Sequence, residues 1–155
     1  VHIAGDGSFR MNCNELATIS YYNIPVIIVI MNNSVLGMVR QWQTAFYEGR
    51  YSQTTLDRGP DFVLLAKAYG IEGYTAHTQE EFKEAFKEAL ANRKPAVINC
   101  FIEKDEKVLP MVAPGAAIND LIFCLLYTSD AADDLLCVDL GGRRITKKKT
   151  IRHIN

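Results

Sequence analysis

The sequence lacks the cysteine spacing that zinc sites and redox motifs require. Its 155 residues include four cysteines, and no two of them form a C-x-x-C pair or stand at a zinc-ligand interval from a histidine. We therefore predict reduced, buried thiols at Cys13, Cys100, Cys124 and Cys137. The three histidines have no evident acid or nucleophile partner, so none is predicted to be catalytic.

An excess of one charge and a long apolar run are missing as well. The 17 basic and 18 acidic residues leave a net charge of −1, which gives no electrostatic reason to predict nucleic-acid or membrane binding. The apolar run over residues 24–31 is too short to span a bilayer and is typical of a buried strand. With 48% hydrophobic and 23% charged residues, the composition is that of an ordinary globular domain.

What the sequence does contain is a regular alternation of strand and helix patterns. Apolar, β-branched runs predict strands at residues 1–4, 26–31, 71–75 and 95–102. Helical periodicity and capping residues predict helices at residues 12–22, 37–46, 61–70 and 78–91, with a polar loop at 47–59. This order predicts an α/β fold, in which helices flank both faces of a parallel sheet.

Two polar motifs follow the first two strands. Gly5-Asp6-Gly7-Ser8-Phe9 is predicted to be a small-residue loop, and Asn33 ends the second strand. Ligands bind outside the carboxyl ends of parallel strands, so Asp6 and Asn33 are expected at one edge of the sheet. Glycine and serine let backbone N–H groups approach a phosphate, and the two side-chain oxygens suit Mg²⁺. The motifs therefore predict a metal-held diphosphate; the alternative is that Asp6 is a plain turn residue and Asn33 only ends a strand.

These motifs resemble those of a known family. GDGSF, ELATI, IPVIIVIMNN, LGMVRQW and LPMVAPGA together resemble the thiamine-diphosphate enzymes, and most closely the catalytic subunits of the acetolactate synthase (acetohydroxyacid synthase) family. The resemblance covers residues 1–120 and implies a C-terminal domain that binds thiamine diphosphate and Mg²⁺. It also implies a parent enzyme that condenses pyruvate with pyruvate or 2-ketobutyrate and releases CO₂.

The resemblance implies roles for individual residues. Asp6, Asn33 and the backbone carbonyl of Val35 would hold Mg²⁺, and Trp42 would line the substrate channel. Tyr47 and residues 108–116 would belong to regions that cover the site, although Trp42 and Tyr47 could equally be packing aromatics. The residues that would contact the cofactor or its metal are Gly5, Asp6, Gly7, Ser8, Asn33, Val35, Gly37 and Met38.

Several parts of the family pattern have no match here. The glutamate that activates the cofactor belongs to a separate N-terminal domain of the family, and FAD is bound by a middle domain. We therefore expect a piece of a longer protein, with no catalytic residue of its own and no synthase activity by itself. The parent would be a cytoplasmic or plastid homodimer or homotetramer, with or without a regulatory subunit. Residues 121–155 do not resemble the family and are predicted to be a non-native read-through or disordered tail.

Two alternatives to acetolactate synthase stay open. One is a related thiamine-diphosphate enzyme, such as a pyruvate oxidase or another 2-keto acid decarboxylase. The other is a phosphate- or nucleotide-binding module without catalysis. Gln41-Trp42 and residues 108–116 favour acetolactate synthase over the first alternative.

Overall fold

A computed structural model describes residues 1–123, which fall into two units, Val1–Lys107 and the unit that begins at Val108. The first unit contains a four-stranded sheet and five α-helices. In chain order its elements are β1 His2–Gly5, α1 Asp6–Asn12, a 3₁₀ turn Cys13–Glu15, α2 Leu16–Tyr21, β2 Ile27–Asn32, α3 Gly37–Phe46, α4 Phe62–Ala68, β3 Glu72–Ala76, α5 Gln79–Asn92 and β4 Ala96–Phe101.

All neighbouring strands of this sheet run parallel, in the order β1-β2-β4-β3. The two central strands, β2 and β4, are almost entirely buried, as continuous β-branched runs predict for strands covered on both faces. The predicted fold class, a parallel sheet with helices on both faces, is therefore confirmed. No helix within residues 1–123 is long and apolar enough to cross a membrane.

Each face of the sheet has its own apolar core. One core packs Phe9 of α1, Leu16 of α2 and Phe62 of α4 against Ile30 and its neighbours on the sheet. The other packs α5 against the opposite face, through residues that include Ala85, Ala89, Val29 and Ile98. Alternate residues of one strand point to opposite faces, which explains why Ile30 and Val29 belong to different cores.

Most predicted helix boundaries are correct, because capping residues mark them. Asp61 accepts hydrogen bonds from the backbone N–H groups of Val63 (2.9 Å) and Leu64 (3.0 Å), which fixes the start of α4. Thr78 Oγ1 accepts one from Glu81 N at 3.2 Å. The Glu81 carboxylate returns to the backbone N–H of His77 rather than to that of Thr78, at 2.6 Å. The capping box therefore closes one residue earlier than its usual form.

The prediction for residues 5–22 is wrong in two respects. Gly5 to Phe9 is not a loop, because α1 begins at Asp6 directly after β1. Residues 12–22 are not one helix either, because Asn12 leaves the helical region (φ −132°, ψ 21°) and a 3₁₀ turn separates α1 from α2. Leu16 at the start of α2 is buried, whereas Tyr21 at its end is exposed.

The second unit is described by itself. Within it, β5 Met111–Val112 pairs antiparallel with β6 Leu121–Ile122. Residues 108–116, which the family resemblance assigns to a covering region, lie in this unit. Of the predicted tail at 121–155, residues 124–155 lie outside the described residues, and so do Cys124 and Cys137. The division at residue 120 stays a prediction.

Candidate cofactor and metal site

The carboxyl ends of β1 and β2 lie side by side. Gly5 pairs in register with Met31, so Asp6 and Asn32 are the next residues along the two neighbouring chains. Parallel pairing thus brings the two sequence motifs to one edge of the sheet. The backbone N–H of Ser34 is near enough to Asp6 to oppose the rise in its pKa, so Asp6 lies near the turn that carries Asn33.

Asp6 is a buried acid with an unused acceptor. Its residue is 3% exposed, and its Oδ2 atom has no hydrogen-bond partner. Buried polar atoms are nearly always paired, because leaving one unpaired costs about 1–3 kcal/mol. A carboxylate oxygen in this position could be satisfied by a cation, and its hard oxygen chemistry suits Mg²⁺.

Burial raises the pKa of Asp6 above its usual value of 3.8. Desolvation is the largest cause, and it is opposed by the backbone N–H groups of Gly7, Asp6 itself and Ser34 and by the positive charge of Arg10. Because folding raises this pKa, the protonated form favours the folded state. The resulting stabilisation is complete below the unfolded pKa and is lost as the pH rises through the folded pKa.

This sign gives a testable pH dependence. We expect the free energy of unfolding of the metal-free chain, relative to that of Asp6→Asn, to fall as the pH rises from the unfolded pKa of Asp6 through its raised folded pKa. Mg²⁺ binding should change in the opposite direction, because the ion requires the ionised carboxylate. Urea denaturation of both proteins at several pH values measures the first effect. A difference that stays constant with pH would exclude a raised pKa at Asp6.

Asn33 lies in a tight turn that the sequence places correctly after β2. Its Oδ1 atom accepts a hydrogen bond from Val35 N at 3.1 Å, which holds the amide oxygen near the segment whose carbonyl is the third predicted ligand. A Cβ atom on Gly37 would lie 3.0 Å from Asn33 Nδ2, so the missing side chain of Gly37 leaves room for this amide. The turn residue Ser34 has a positive φ of 56°, a conformation that non-glycine residues rarely adopt.

The remaining predicted cofactor contacts are at the start of α1 and of α3. Gly7 is half-buried, and a Cβ atom there would meet the side chains of Leu56 (3.3 Å) and Leu36 (3.4 Å). Gly5, Ser8 and Met38 are exposed. Ser8 belongs to the first turn of α1, where backbone N–H groups have no helical partner and favour an anion.

These residues fit a magnesium-bound diphosphate. Within residues 1–123, no group of three or more His, Cys, Asp or Glu side chains could hold a metal ion. A single carboxylate, one amide oxygen and one backbone carbonyl are instead a sparse set, which suits Mg²⁺ because that ion usually keeps phosphate and water ligands. The unpaired oxygen of Asp6 is the feature of this structure that a metal would satisfy.

Sequence reasoning missed how the polar loop 47–59 supports the site. Leu36 N donates to Thr54 O and Leu56 N donates to Ser34 O, both at 2.7 Å, so residues 54–56 pair with the turn after β2. On its other side, Leu56 O accepts a hydrogen bond of 2.6 Å from the Arg10 guanidinium. Composition correctly indicates a loop, but nothing in it signals these long-range partners.

Trp42 and Tyr47 lie on one apolar groove of about 590 Å³, together with Met38 and Val39. Gln43 of α3 attaches the loop residue Ser52, which also lines the groove. Its side-chain amide donates to Ser52 O (3.0 Å) and accepts from Ser52 N (3.1 Å). The structure thus brings together the two aromatics that the resemblance assigns to the channel and its cover. Their roles stay predictions.

Arg40 is a second residue that the sequence did not single out. Its guanidinium forms an ion pair of 2.7 Å with Asp105 and stacks 3.7 Å above the centre of the Tyr51 ring. The hydrogen bond to Arg40 lowers the pKa of Asp105. These contacts connect α3, which carries Met38 and Trp42, to the segment after β4 and to the 47–59 loop.

Comparisons with known proteins agree with this architecture. Residues 1–100 match the family model "Thiamine pyrophosphate enzyme, C-terminal TPP binding domain". The chain is 44% identical over 122 residues to the probable acetolactate synthase large subunit of Methanocaldococcus jannaschii, a match that covers 79% of this chain and 20% of that protein. It is 39% identical over 150 residues to the probable acetolactate synthase large subunit of Methanococcus aeolicus, which covers 97% of this chain and 24% of that one.

A solved structure shows the same fold. The thiamine diphosphate-dependent 4-hydroxybenzoylformate decarboxylase of Rhodococcus jostii RHA1 is 36% identical, with a TM-score of 0.60 over 65% of this chain and 19% of that one. The chain therefore spans about a fifth of the length of the relatives that it matches. The resemblance to acetolactate synthase large subunits is confirmed, and the chain belongs to the thiamine pyrophosphate enzyme family, as its C-terminal TPP-binding domain.

Proposed function

We propose that this chain is the diphosphate- and Mg²⁺-binding part of an acetolactate synthase large subunit. The parent enzyme condenses pyruvate with a second pyruvate or with 2-ketobutyrate and releases CO₂, in the synthesis of branched-chain amino acids. The observation that carries the proposal is the buried, unpaired Oδ2 atom of Asp6 beside the turn that holds Asn33. The acetolactate synthase relatives support the choice of reaction.

The residues of this chain would bind and orient Mg²⁺ and thiamine diphosphate and would not themselves react with the substrate. Asp6, Asn33 and the Val35 carbonyl would hold Mg²⁺, and the N–H groups and hydroxyl of Gly7 and Ser8 would contact the diphosphate. When bound, thiamine diphosphate supplies the electron sink that lets a 2-keto acid lose CO₂. Met38 and Trp42 would exclude water from the apolar groove beside it.

The rest of the parent would complete the enzyme. The activating glutamate, the FAD site and the regulatory subunit, where there is one, would come from other parts of a homodimeric or homotetrameric cytoplasmic or plastid enzyme. By themselves, the 155 residues would form no acetolactate from pyruvate.

Calorimetric titration tests the binding proposal. We expect the chain to bind thiamine diphosphate in the presence of Mg²⁺ and to lose this binding in EDTA, because Asp6, Asn33 and the Val35 carbonyl would hold the diphosphate through the metal. ADP with Mg²⁺ should bind about tenfold or more weakly, since it lacks the thiamine rings. Binding that is unchanged in EDTA would contradict the metal role. Equal affinity for ADP would favour the alternative of a general diphosphate-binding module.

A further inference from the structure

Asn99 is an amide in the middle of an otherwise apolar strand. It lies on β4, between β2 and β3, and is 5% exposed. Its register partner on β2 is Ile30, and Asn32 is two residues further along that strand. Side chains two residues apart point to the same face, so Asn32 and Asn99 lie on one face at the carboxyl end of the sheet.

The two amides are joined by a hydrogen bond that leads to the turn after β2. Asn32 Nδ2 donates to Asn99 Oδ1 at 3.1 Å. Asn32 Oδ1 in turn accepts from Ser34 N at 3.1 Å and from Ser34 Oγ at 3.2 Å. Residues 67 positions apart in the sequence are thus joined in one network of three hydrogen bonds, in which the bond between the two amides is buried and the two to Ser34 are part-buried.

The backbone N–H of Ser34 determines which way the Asn32 amide is oriented in this network. A backbone N–H can only donate, so the oxygen of the Asn32 amide must face Ser34. The NH₂ group of Asn32 then faces Asn99, where it needs an acceptor, because an unpaired buried donor is costly. The structure therefore demands an acceptor at position 99, and an amide is one of the few side chains that supplies it without charge.

The network of hydrogen bonds ends on Ser34, whose backbone conformation is unfavourable and requires support from its surroundings. Ser34 has a positive φ of 56°, which is unfavourable for any residue with a Cβ atom and persists only where its surroundings fix it. Ser34 stands between Asn33 and Val35, so its conformation sets the direction of the Asn33 side chain and the Val35 carbonyl. Asp6 follows β1, and Gly5 pairs in register with Met31 of β2, so Asp6 lies at the same edge of the sheet as this turn.

We propose that Asn99 is a positioning residue for the Mg²⁺-diphosphate site. Through Asn32 it holds Ser34 in its turn and so keeps Asn33 and Val35 opposite Asp6. This proposal rests on the proposed function for its metal, while the positioning of the turn itself does not depend on any ligand.

Three variants of the 155-residue chain test this role. Asn99→Leu has a similar size and no acceptor, whereas Asn99→Asp keeps an acceptor toward Asn32. Ile98→Ala is the matched control, because it leaves a cavity in the core on the opposite face of the same strand. Should Asn99→Leu fail to fold, Asn99→Ala takes its place in the comparison.

The first measurement needs no cofactor. Hydrogen exchange followed by NMR should show faster exchange of the Ser34 and Val35 amides in Asn99→Leu, by about tenfold or more, and little change in Asn99→Asp. Ile98→Ala should change these two amides no more than others nearby. Equal exchange in Asn99→Leu and wild type, or equal loss of protection in Asn99→Asp, would overturn the proposal.

The second measurement is calorimetric titration with thiamine diphosphate and Mg²⁺, with a urea midpoint for every variant. Partners that orient metal ligands are typically worth 10–100-fold in affinity, so Asn99→Leu should raise the apparent Kd by about that factor. Asn99→Asp should stay within about threefold, and Ile98→Ala should lower the urea midpoint without raising Kd. Equal Kd values for Asn99→Leu and Ile98→Ala would overturn the role of Asn99 toward the metal.

The two measurements separate this proposal from the proposed function. A wild-type chain that binds no thiamine diphosphate with Mg²⁺, yet shows the expected exchange pattern, would refute the proposed function and leave the positioning of the turn by Asn99 supported.

Discussion

Replacing Asp6 by Ala should lower the affinity of the chain for thiamine diphosphate and Mg²⁺ by about 100-fold, or about 3 kcal/mol. Asp6 is the one carboxylate of the proposed ligand set, and its buried oxygen has no other partner. An amide oxygen and a backbone carbonyl carry no charge, so the remaining ligands cannot replace its attraction for a divalent ion. Calorimetric titration of the two proteins at the same Mg²⁺ concentration measures the loss.

Asp61→Ala is the matched control, because Asp61 also stands at a helix start but has a structural task. Its carboxylate caps α4 through two backbone N–H groups, so its loss should cost about 1 kcal/mol of stability. We expect Asp61→Ala to lower the urea midpoint and keep the affinity. Asp6→Ala should lose affinity and keep or raise the midpoint, because it removes a buried carboxylate whose Oδ2 atom has no hydrogen-bond partner. Similar affinity losses in both variants would contradict a metal role for Asp6.

The sequence predicts those parts of the fold that local signals determine. β2 and β4 are correctly placed because buried parallel strands are continuous apolar runs, and α4 begins where Asp61 caps it. The common edge for Asp6 and Asn33 follows from parallel topology alone. The lone amide of β4, Asn99, was visible in the sequence as a polar residue in an apolar run, but its partner 67 residues away was not.

The structure departs from the prediction where tertiary packing outweighs local preference. Gly5, Gly7 and Ser8 favour a loop on their own, because glycine and serine are weak helix formers. The segment is nevertheless helical from Asp6, because Phe9 is drawn into the core against Phe62. For the same reason, the arrangement of the proposed metal ligands depends on contacts that no local pattern contains, such as the pairing of residues 54–56 with the turn after β2.

Phe9 should therefore be as important for the position of Asp6 as any polar residue of the site. It is 7% exposed and meets Phe62 edge-to-face, with ring centroids 5.6 Å apart at 77°. Asp6 and Phe9 are the buried residues of α1, which has only 7 residues. A helix this short is not stable alone, so its attachment depends on the buried ring.

We expect Phe9→Ala to lower the free energy of unfolding by about 3–5 kcal/mol, a large part of the stability of a small domain. Phe9→Leu should lower the free energy of unfolding less, because leucine fills most of the volume of the ring. It should still be less stable than wild type, because the aromatic contact with Phe62 is lost. Met11→Ala, on the same helix but 74% exposed, is the control and should stay within about 0.5 kcal/mol of wild type. Urea denaturation followed by circular dichroism measures all three. If Phe9→Ala were no less stable than Met11→Ala, α1 would not be held by its ring, and the position of Asp6 would need another explanation.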